Sequence, residues 1–379
     1  MNVEQNIWTK TEGWEAGSLG KLGDSAQLVL IFGSRSILRD AALLETVKKA
    51  YPKAHYLGCS TSGEICGTQV SDESLVVTAV RFDHTKTIGT KLKIKNSTES
   101  FQVGEQLAQL LPKEELRHVF VISDGLNVNA SDLVAGIMKH LPPHVAVTGG
   151  LSADGALFKE TLVLSDSLPE QGVVAALGLY GNRLKVGYGA MGGWDPFGPE
   201  RLVTRSKGNI LYEFDGVSAL GLYKNYLGDH AKGLPATALH FPLSLRRKEG
   251  STSVVRTILG VDEKEQSMIF AGTVPQGEYA RLMRTDYEGL IGGSIGAAKA
   301  SYEALGSSKP ELAVLISCVG RKLVLKQRTG EEVEGVREIM GNQTILAGFY
   351  SYGGYSPFTP NSKCEFHNQS MTITTFSER

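Results

Sequence analysis

The chain has 379 residues, 41% of them hydrophobic and 21% charged, with a formal net charge of −1. That is apolar material for two or three cored domains of roughly 150 residues each, and so small a charge offers no field for DNA, RNA or anionic lipid. No apolar run approaches the ~20 residues that span a bilayer, the first residues lack the regions of a secretion signal, and Cys59, Cys66, Cys318 and Cys364 form no CxxC pair. The reading is a cytoplasmic protein with reduced thiols, no nucleic-acid partner and no membrane insertion.

Residues 1–24 read as an N-terminal extension. Residues 26–32 are a short apolar run, the pattern of a strand buried on both faces. Apolar positions 43, 44, 47 and 51 then predict a helix over 40–51, stopped by Pro52. Strands follow at 54–58 and 75–82, a helix at 101–111, and a buried strand at 118–122. Asn129 or Ser131 caps a helix running to His140, and residues 145–148 return to strand before a turn over 149–154. Between 162 and 188 three strands succeed one another like a meander, with Gly181-Asn182 as a hairpin tip. After the break at Gly192–Pro199 come a strand at 209–215, a helix at 217–227, a strand at 267–271 and a long helix within 286–305. Strand 312–317, a helix over 332–340 and strands at 344–352 and 371–376 close the chain. This alternation predicts an α/β fold of two domains, 25–215 and 216–379, with mixed β-sheets layered with helices. No short repeat is apparent, although both halves carry strand-to-glycine junctions, which leaves two distantly similar halves open.

Candidate chemistry is sparse. The tail has Phe349, Tyr350, Tyr352, Tyr355 and Phe358 among glycines, a mixture that suits one apolar wall of a ligand pocket. Cys59, Ser60 and Thr61 follow a strand and offer a thiol, hydroxyls and backbone N–H groups to a bound polar group. Gly187–Gly192 spells G-x-G-x-x-G but leads into no helix start, so it marks no dinucleotide site. No metal motif is present. Haem needs only one axial ligand and an apolar slot. His240, beside a proline in an apolar stretch, and His367, next to the aromatic segment, are the candidates, whereas His118 and His140 read as surface residues. Arg321, presented with Lys322 after an apolar strand, could meet a propionate, a carboxylate or a phosphate, the alternative being a solvated pair of charges.

Five segments resemble, in order, the FIST family of proteins with an N-terminal and a C-terminal FIST domain: Leu57–Ile65, Val147–Asp154, Asn209–Asp215, Ser317–Arg321, and Gly348–Gly354 with His367–Ile373. The resemblance implies an intracellular sensory module that binds a small ligand and reports to a signalling partner, a histidine kinase or a cyclic-di-nucleotide signalling protein. One branch of the family binds haem b through a histidine and senses nitric oxide. On that reading His240 or His367 holds the iron, Arg321 pairs with a propionate, and the five rings line the plane. The alternatives are an amino-acid or small-metabolite sensor without haem, with Cys59, Ser60, Thr61 and Arg321 at the ligand's polar ends, and a thiol enzyme using Cys59 or Cys318. Nothing in the sequence supplies a nucleophile with its base, so binding is expected rather than catalysis.

Overall fold

The computed structural model of the chain describes residues 1–15, 19–246, 253–358 and 362–379. One pattern occurs in it three times: a lead strand, a central strand, a helix, a parallel strand and a closing strand. In unit I these are Asn2–Thr9, Leu28–Gly33, helix Ala41–Ala50, His55–Ser60 and Ser74–Arg81. Unit II has Lys86–Lys93, Leu116–Ser123, helix Ala130–Lys139, Ala146–Leu151 and Val173–Tyr180. Unit III has Lys185–Met191, Leu312–Cys318, helix Thr329–Met340, Ile345–Ser351 and Met371–Ser377. In the sheet of each unit the order is lead, closing, central, parallel, and the central and parallel strands run in the same direction while the others are antiparallel. The sheets are therefore mixed, and helices layer them, as the alternation predicts.

Between its parallel and closing strands each unit places a short strand in another unit's sheet. Glu64–Cys66 of unit I pairs with Ile345–Ser351 of unit III, Val163–Ser165 of unit II with His55–Ser60 of unit I, and Gly354–Pro357 of unit III with Ala146–Leu151 of unit II. The exchange is cyclic.

Register fixes the equivalence of the units. Gly58, Gly149 and Gly348 lie opposite Ile31, Val121 and Leu315 of the central strands. A Cβ at these positions would lie 1.9, 1.8 or 2.0 Å from the opposite carbonyl oxygen, so only glycine fits. One residue further, Phe32, Ile122 and Ile316 face a core shared by all three sheets, with Leu30, Phe120 and Val314 below them. The outer faces are covered by helices: Leu43, Leu44 and Val47 of Ala41–Ala50 on unit I, Val103 and Leu133 of Ser100–Leu110 and Ala130–Lys139 on unit II, and Ala297 and Val333 of Tyr287–Glu303 and Thr329–Met340 on unit III.

The second domain is inserted into unit III, between Lys185–Met191 and Tyr287–Glu303. It is an antiparallel sheet built from Asp195–Lys207, Ile210–Phe214, Leu243–Arg246, Ser253–Arg256, Ile258–Asp262, Ser267–Phe270 and Tyr279–Arg284, with Val217–Ser218 beside Ile210–Phe214. Its two edge strands, Ser253–Arg256 and Ile258–Asp262, are joined through Thr257 alone, so the sheet curls until its edges meet. Leu220 and Tyr223 of helix Ala219–Leu227 pack with Phe214, Leu243 and Phe270 to fill it. We call it the barrel, and the three units the body.

Several sequence expectations change. Residues 1–24 are no extension, because Asn2–Thr9 pairs along its whole length with Ser74–Arg81. Residues 215 and 216, where the sequence reading divides the chain, form the turn between Ile210–Phe214 and Val217–Ser218. The stretch 162–188 is no meander: Val173–Tyr180 pairs with Lys86–Lys93 and Leu116–Ser123, whereas Lys185–Met191 pairs with the chain's last strand. Gly149-Gly150 is strand rather than turn, and three related units replace the two similar halves. Among the described residues no helix is long and apolar enough to cross a membrane.

Candidate functional site

The parallel strands of the three units end together, and their junction loops are laced by backbone hydrogen bonds. Ser62 N–H donates to Tyr350 O and Tyr350 N–H to Gly63 O, both at 2.8 Å; Ala153 N–H donates to Ser60 O at 2.8 Å, and Leu151 N–H to Gly353 O at 2.9 Å. The groups expected to hold a ligand serve this lacing. Cys59 is fully buried in the shared core, and burial pushes its thiol well above the ordinary value. Ser60 Oγ accepts from Leu162 N–H at 2.9 Å, and the Thr61 hydroxyl donates to Glu64. Glu64 also accepts from the backbone and hydroxyl of Ser74, at 3.1 and 2.7 Å, yet desolvation raises its carboxyl to about 7.

The aromatic residues do not share a wall. Successive side chains of a strand point to opposite faces, so Phe349 enters the shared core, 4.5 Å from the Phe32 ring, while Tyr350 enters the core under the unit III helices. Tyr350 OH donates to Glu332 Oε1 at 2.6 Å. Tyr352 bonds Asp154 through its hydroxyl and stacks on Phe158 at 4.6 Å. Tyr355 lies in the unit II core with its hydroxyl 2.7 Å from Ser123 Oγ. Only Phe358 borders open space.

Arg321 is not presented to a ligand. The helix Val319–Leu325 begins where a loop is expected, and it carries this side chain to complete burial. There Nη2–H donates to Glu332 Oε2 and to Leu290 O, both at 2.7 Å, and Nη1–H to Gly192 O at 2.6 Å. Glu332 takes a further bond from Ser317 Oγ at 3.1 Å. In place of a ligand's propionate, carboxylate or phosphate, Arg321 meets the carboxylate of Glu332, one helix later, which supplies the buried counter-charge.

The histidines also differ from their sequence reading. His118 is wholly buried, not superficial. It holds the register position of Leu28 and Leu312, its Nε2 lies 2.8 Å from Thr148 Oγ1, Nδ1 has no protein partner, and burial pushes its pKa down to about 3. His367 is buried, donates Nε2–H to Ser356 O at 2.8 Å and has its pKa pushed down to about 4 by burial. His240 is exposed on the turn Ala236–His240. Among the described residues no group of three or more His, Cys, Asp and Glu could hold a metal ion. Haem does not fit these residues: the first histidine candidate sits at the surface, the second has Nε2 bonded and the Phe358 ring 4.4 Å away, and the propionate cation is already paired.

Open space with walls from both domains occurs at their seam. A cavity of about 180 Å³ is lined by Leu245, Val254, Arg256, Thr273, Pro275 and Glu278 of the barrel and by Ser131, Asp132, Phe358 and Glu365 of the body. Arg256 crosses the seam, donating Nη1–H to Phe366 O at 2.9 Å with its guanidinium 5.6 Å from that residue's ring. Asn129, which caps Ala130–Lys139 as the sequence indicates, donates Nδ2–H to Thr273 Oγ1 at 3.2 Å. Desolvation raises the carboxyl pKa of Asp132 in the same helix turn. A wider hollow of about 560 Å³ beside Lys48, Lys53 and His55 is an open, charged surface, in which Lys53 and His55 are already paired with Asp24 and Asp166. Of the residues expected at a site, only Phe358 lines the seam cavity. Sequence reasoning missed Val254 and Arg256, because one arginine after two valines in a strand carries no signal of what the strand faces.

Comparisons with known proteins add a family. A model of the FIST N domain matches residues 27–217 and a model of the FIST C domain residues 219–357, so the two meet inside the barrel. An uncharacterised protein of Methanocaldococcus jannaschii is 22% identical over 349 residues, 85% of this chain and 66% of that protein. The match thus spans a little under two thirds of that relative's length. A solved cyanuric acid hydrolase from A. caulinodans aligns over 98% of this chain and 97% of its own, at 8% identity and a TM-score of 0.36, too low to bear on function.

Proposed function

Since the chain belongs to the FIST family, whose domains are sensory modules for small ligands in signalling proteins, we propose that it holds a small polar metabolite, such as an amino acid, in the seam cavity. The observation that carries this reading is the cavity's pair of walls, one from each domain. An occupant touches both, so its arrival changes how firmly barrel and body dock, and a ligand shifts a conformational balance only through such differential contact. Pockets for drug-sized ligands span about 300–1,000 Å³; this one has the volume of about six water molecules at ~30 Å³ each, which suits a metabolite of a few heavy atoms. Haem b and nitric oxide are disfavoured by size and by the placement of His240, His367 and Arg321. A thiol enzyme is disfavoured by the burial of Cys59 and Cys318, which raises both thiol pKa values. The partner that reads the docking change is, on family grounds, a histidine kinase or a cyclic-di-nucleotide signalling protein.

A thermal-shift screen of amino acids, small carboxylates and haem tests the proposal. A true ligand at ~100 times its Kd adds about 2.7 kcal/mol, and Val254→Trp, which fills the cavity, should abolish the shift. A shift from haem alone, or one that survives Val254→Trp, would place the ligand elsewhere.

A further inference from the structure

At the end of the body where the parallel strands finish, two buried aspartates hold apolar side chains out in water. Asp154 accepts from the N–H groups of Phe158, Lys159 and Glu160 at 2.9, 3.0 and 2.9 Å and from the Tyr352 hydroxyl. These bonds draw residues 155–160 into a tight loop with Ala156, Leu157 and Phe158 exposed, Leu157 by 54% and Phe158 by 46%. Phe158 has φ +52, a left-handed backbone that a bulky residue keeps only when its surroundings enforce it. Its ring stacks on Tyr352. Asp124 pins the neighbouring loop in the same way, accepting from Leu126 and Asn127 N–H at 2.8 and 2.7 Å. Gly125 of that loop lies against the Tyr352 ring, where a Cβ would sit 2.9 Å from Cδ2, and Leu126 after it is 36% exposed. A run of about three exposed apolar residues is a fault in a solvated surface unless it serves a contact.

The two ends of the 155–160 loop are basic. Arg35 lies 3.6 Å from Asp154 and 3.8 Å from Glu160, and Arg39 pairs with Glu160 as well. Lys159 is exposed and has no ion pair among the described residues. Three cations thus stand against two carboxylates, and the side chain of Asp154 is wholly buried.

We infer that this end of the body docks on a lipid surface. Leu157 and Phe158, with Leu126 beside them, enter the headgroup layer, and Arg35, Arg39 and Lys159 meet lipid phosphates. A protein partner fits less well, because a standard interface takes about 800 Å² from each side and is depleted in lysine. This tip is three large apolar side chains with a lysine in the loop itself. Apolar groups at the acyl boundary, with long cations snorkelling to the phosphates, are what a bilayer interface accommodates. The expectation of no membrane insertion concerns spanning segments and net charge, whereas a local tip neither spans nor needs a long-range field. Such contact is weak and reversible, no stronger than the ~10⁴ M⁻¹ of a single myristoyl chain. It does not depend on the seam cavity or its occupant.

Co-sedimentation of the full chain with sucrose-loaded vesicles tests this, using phosphatidylcholine alone and phosphatidylcholine with about one-third phosphatidylserine, at about 1 mM lipid. The chain should pellet with both, more with phosphatidylserine, and the excess should vanish at about 1 M salt, where screening acts within about 3 Å. Leu157→Asp should cut the bound fraction about fivefold, and Leu126→Asp, on the separate loop, should lower it too. Both side chains are exposed, so each variant should melt like the parent chain. Lys159→Glu should remove part of the phosphatidylserine excess and leave binding to phosphatidylcholine unchanged. No pelleting, or pelleting that Leu157→Asp leaves intact, would overturn the proposal. So would a dimer in sedimentation velocity that Leu157→Asp dissociates and vesicles do not, since a second copy would then cover the tip.

Discussion

Glu64 stands where units II and III have Gly155 and Gly354, counted from the junction glycines. Its partners Thr61 and Ser74 are neutral donors, and burial outweighs them, lifting the carboxyl from 4.5 to about 7. The folded chain therefore keeps a proton that the unfolded chain releases, so this residue's contribution falls as pH rises from about 4.5 to about 7. His118 and His367 act in the opposite sense: held neutral when folded, they weaken the fold as pH drops below 6.5. Glu64→Gln should remove the loss on the alkaline side, worth about 3 kcal/mol at 1.36 kcal/mol per pKa unit, and denaturant melts at pH 5 and pH 8 would check it. Arg321 and Glu332 make a second test. Arg321→Met strands a buried carboxylate and should cost roughly 3–5 kcal/mol, while the double variant Arg321→Met with Glu332→Gln should recover part of it. None of this was legible in sequence, where Arg321 looks like any cation after a strand; burial and a partner eleven residues away decide its role.

Elements were far more legible than their neighbours. Asp40 accepts from Leu43 N–H and Asn129 from Ser131 and Asp132 N–H, so both helix starts follow from local chemistry. The apolar runs at 26–32, 118–122 and 312–317 are indeed central strands with both faces buried. Pairing was not legible: Gly181-Asn182 looks like a hairpin tip, but the strand after it pairs with Met371–Ser377, and alternation within a strand says nothing about a partner so distant. The aromatic tail misled for a related reason. Composition suggested one wall, whereas the period of two sends neighbouring rings to different cores. The junction glycines, read only as tight connections, are contact requirements. Gly149→Ala would press a Cβ against Val121 O and should destabilise by about 4 kcal/mol, at the exceptional end for one substitution. Gly292→Ala, with nothing within 4 Å of its Cβ in a helix, should stabilise by about 0.4–1 kcal/mol. Thermal melts of the two variants compare them directly.

At the scale of the whole molecule, the α/β class and a two-part division are legible in the sequence, and the division at 215/216 lies beside the junction of the two family domains, but nothing in the sequence shows that the barrel is threaded through the body. Since the crossing strands meet at Thr285 and Gly193, residues 195–284 should be removable with a short linker between them. The remaining body should keep a cooperative melt, checked by calorimetry, as all three of its sheets stay complete. Removing any unit is different. Each unit's short strand closes a neighbour's sheet, in a circle with no first member. Unit I depends on a strand from unit II, unit II on one from unit III, and unit III on one from unit I. The first link needs only residues 163–165, but the other two need strands of residues 345–357, so the circle closes only with the third unit. The three units are thus locked as one ring, and opening any one link leaves two sheets each short of a borrowed edge or a home for one.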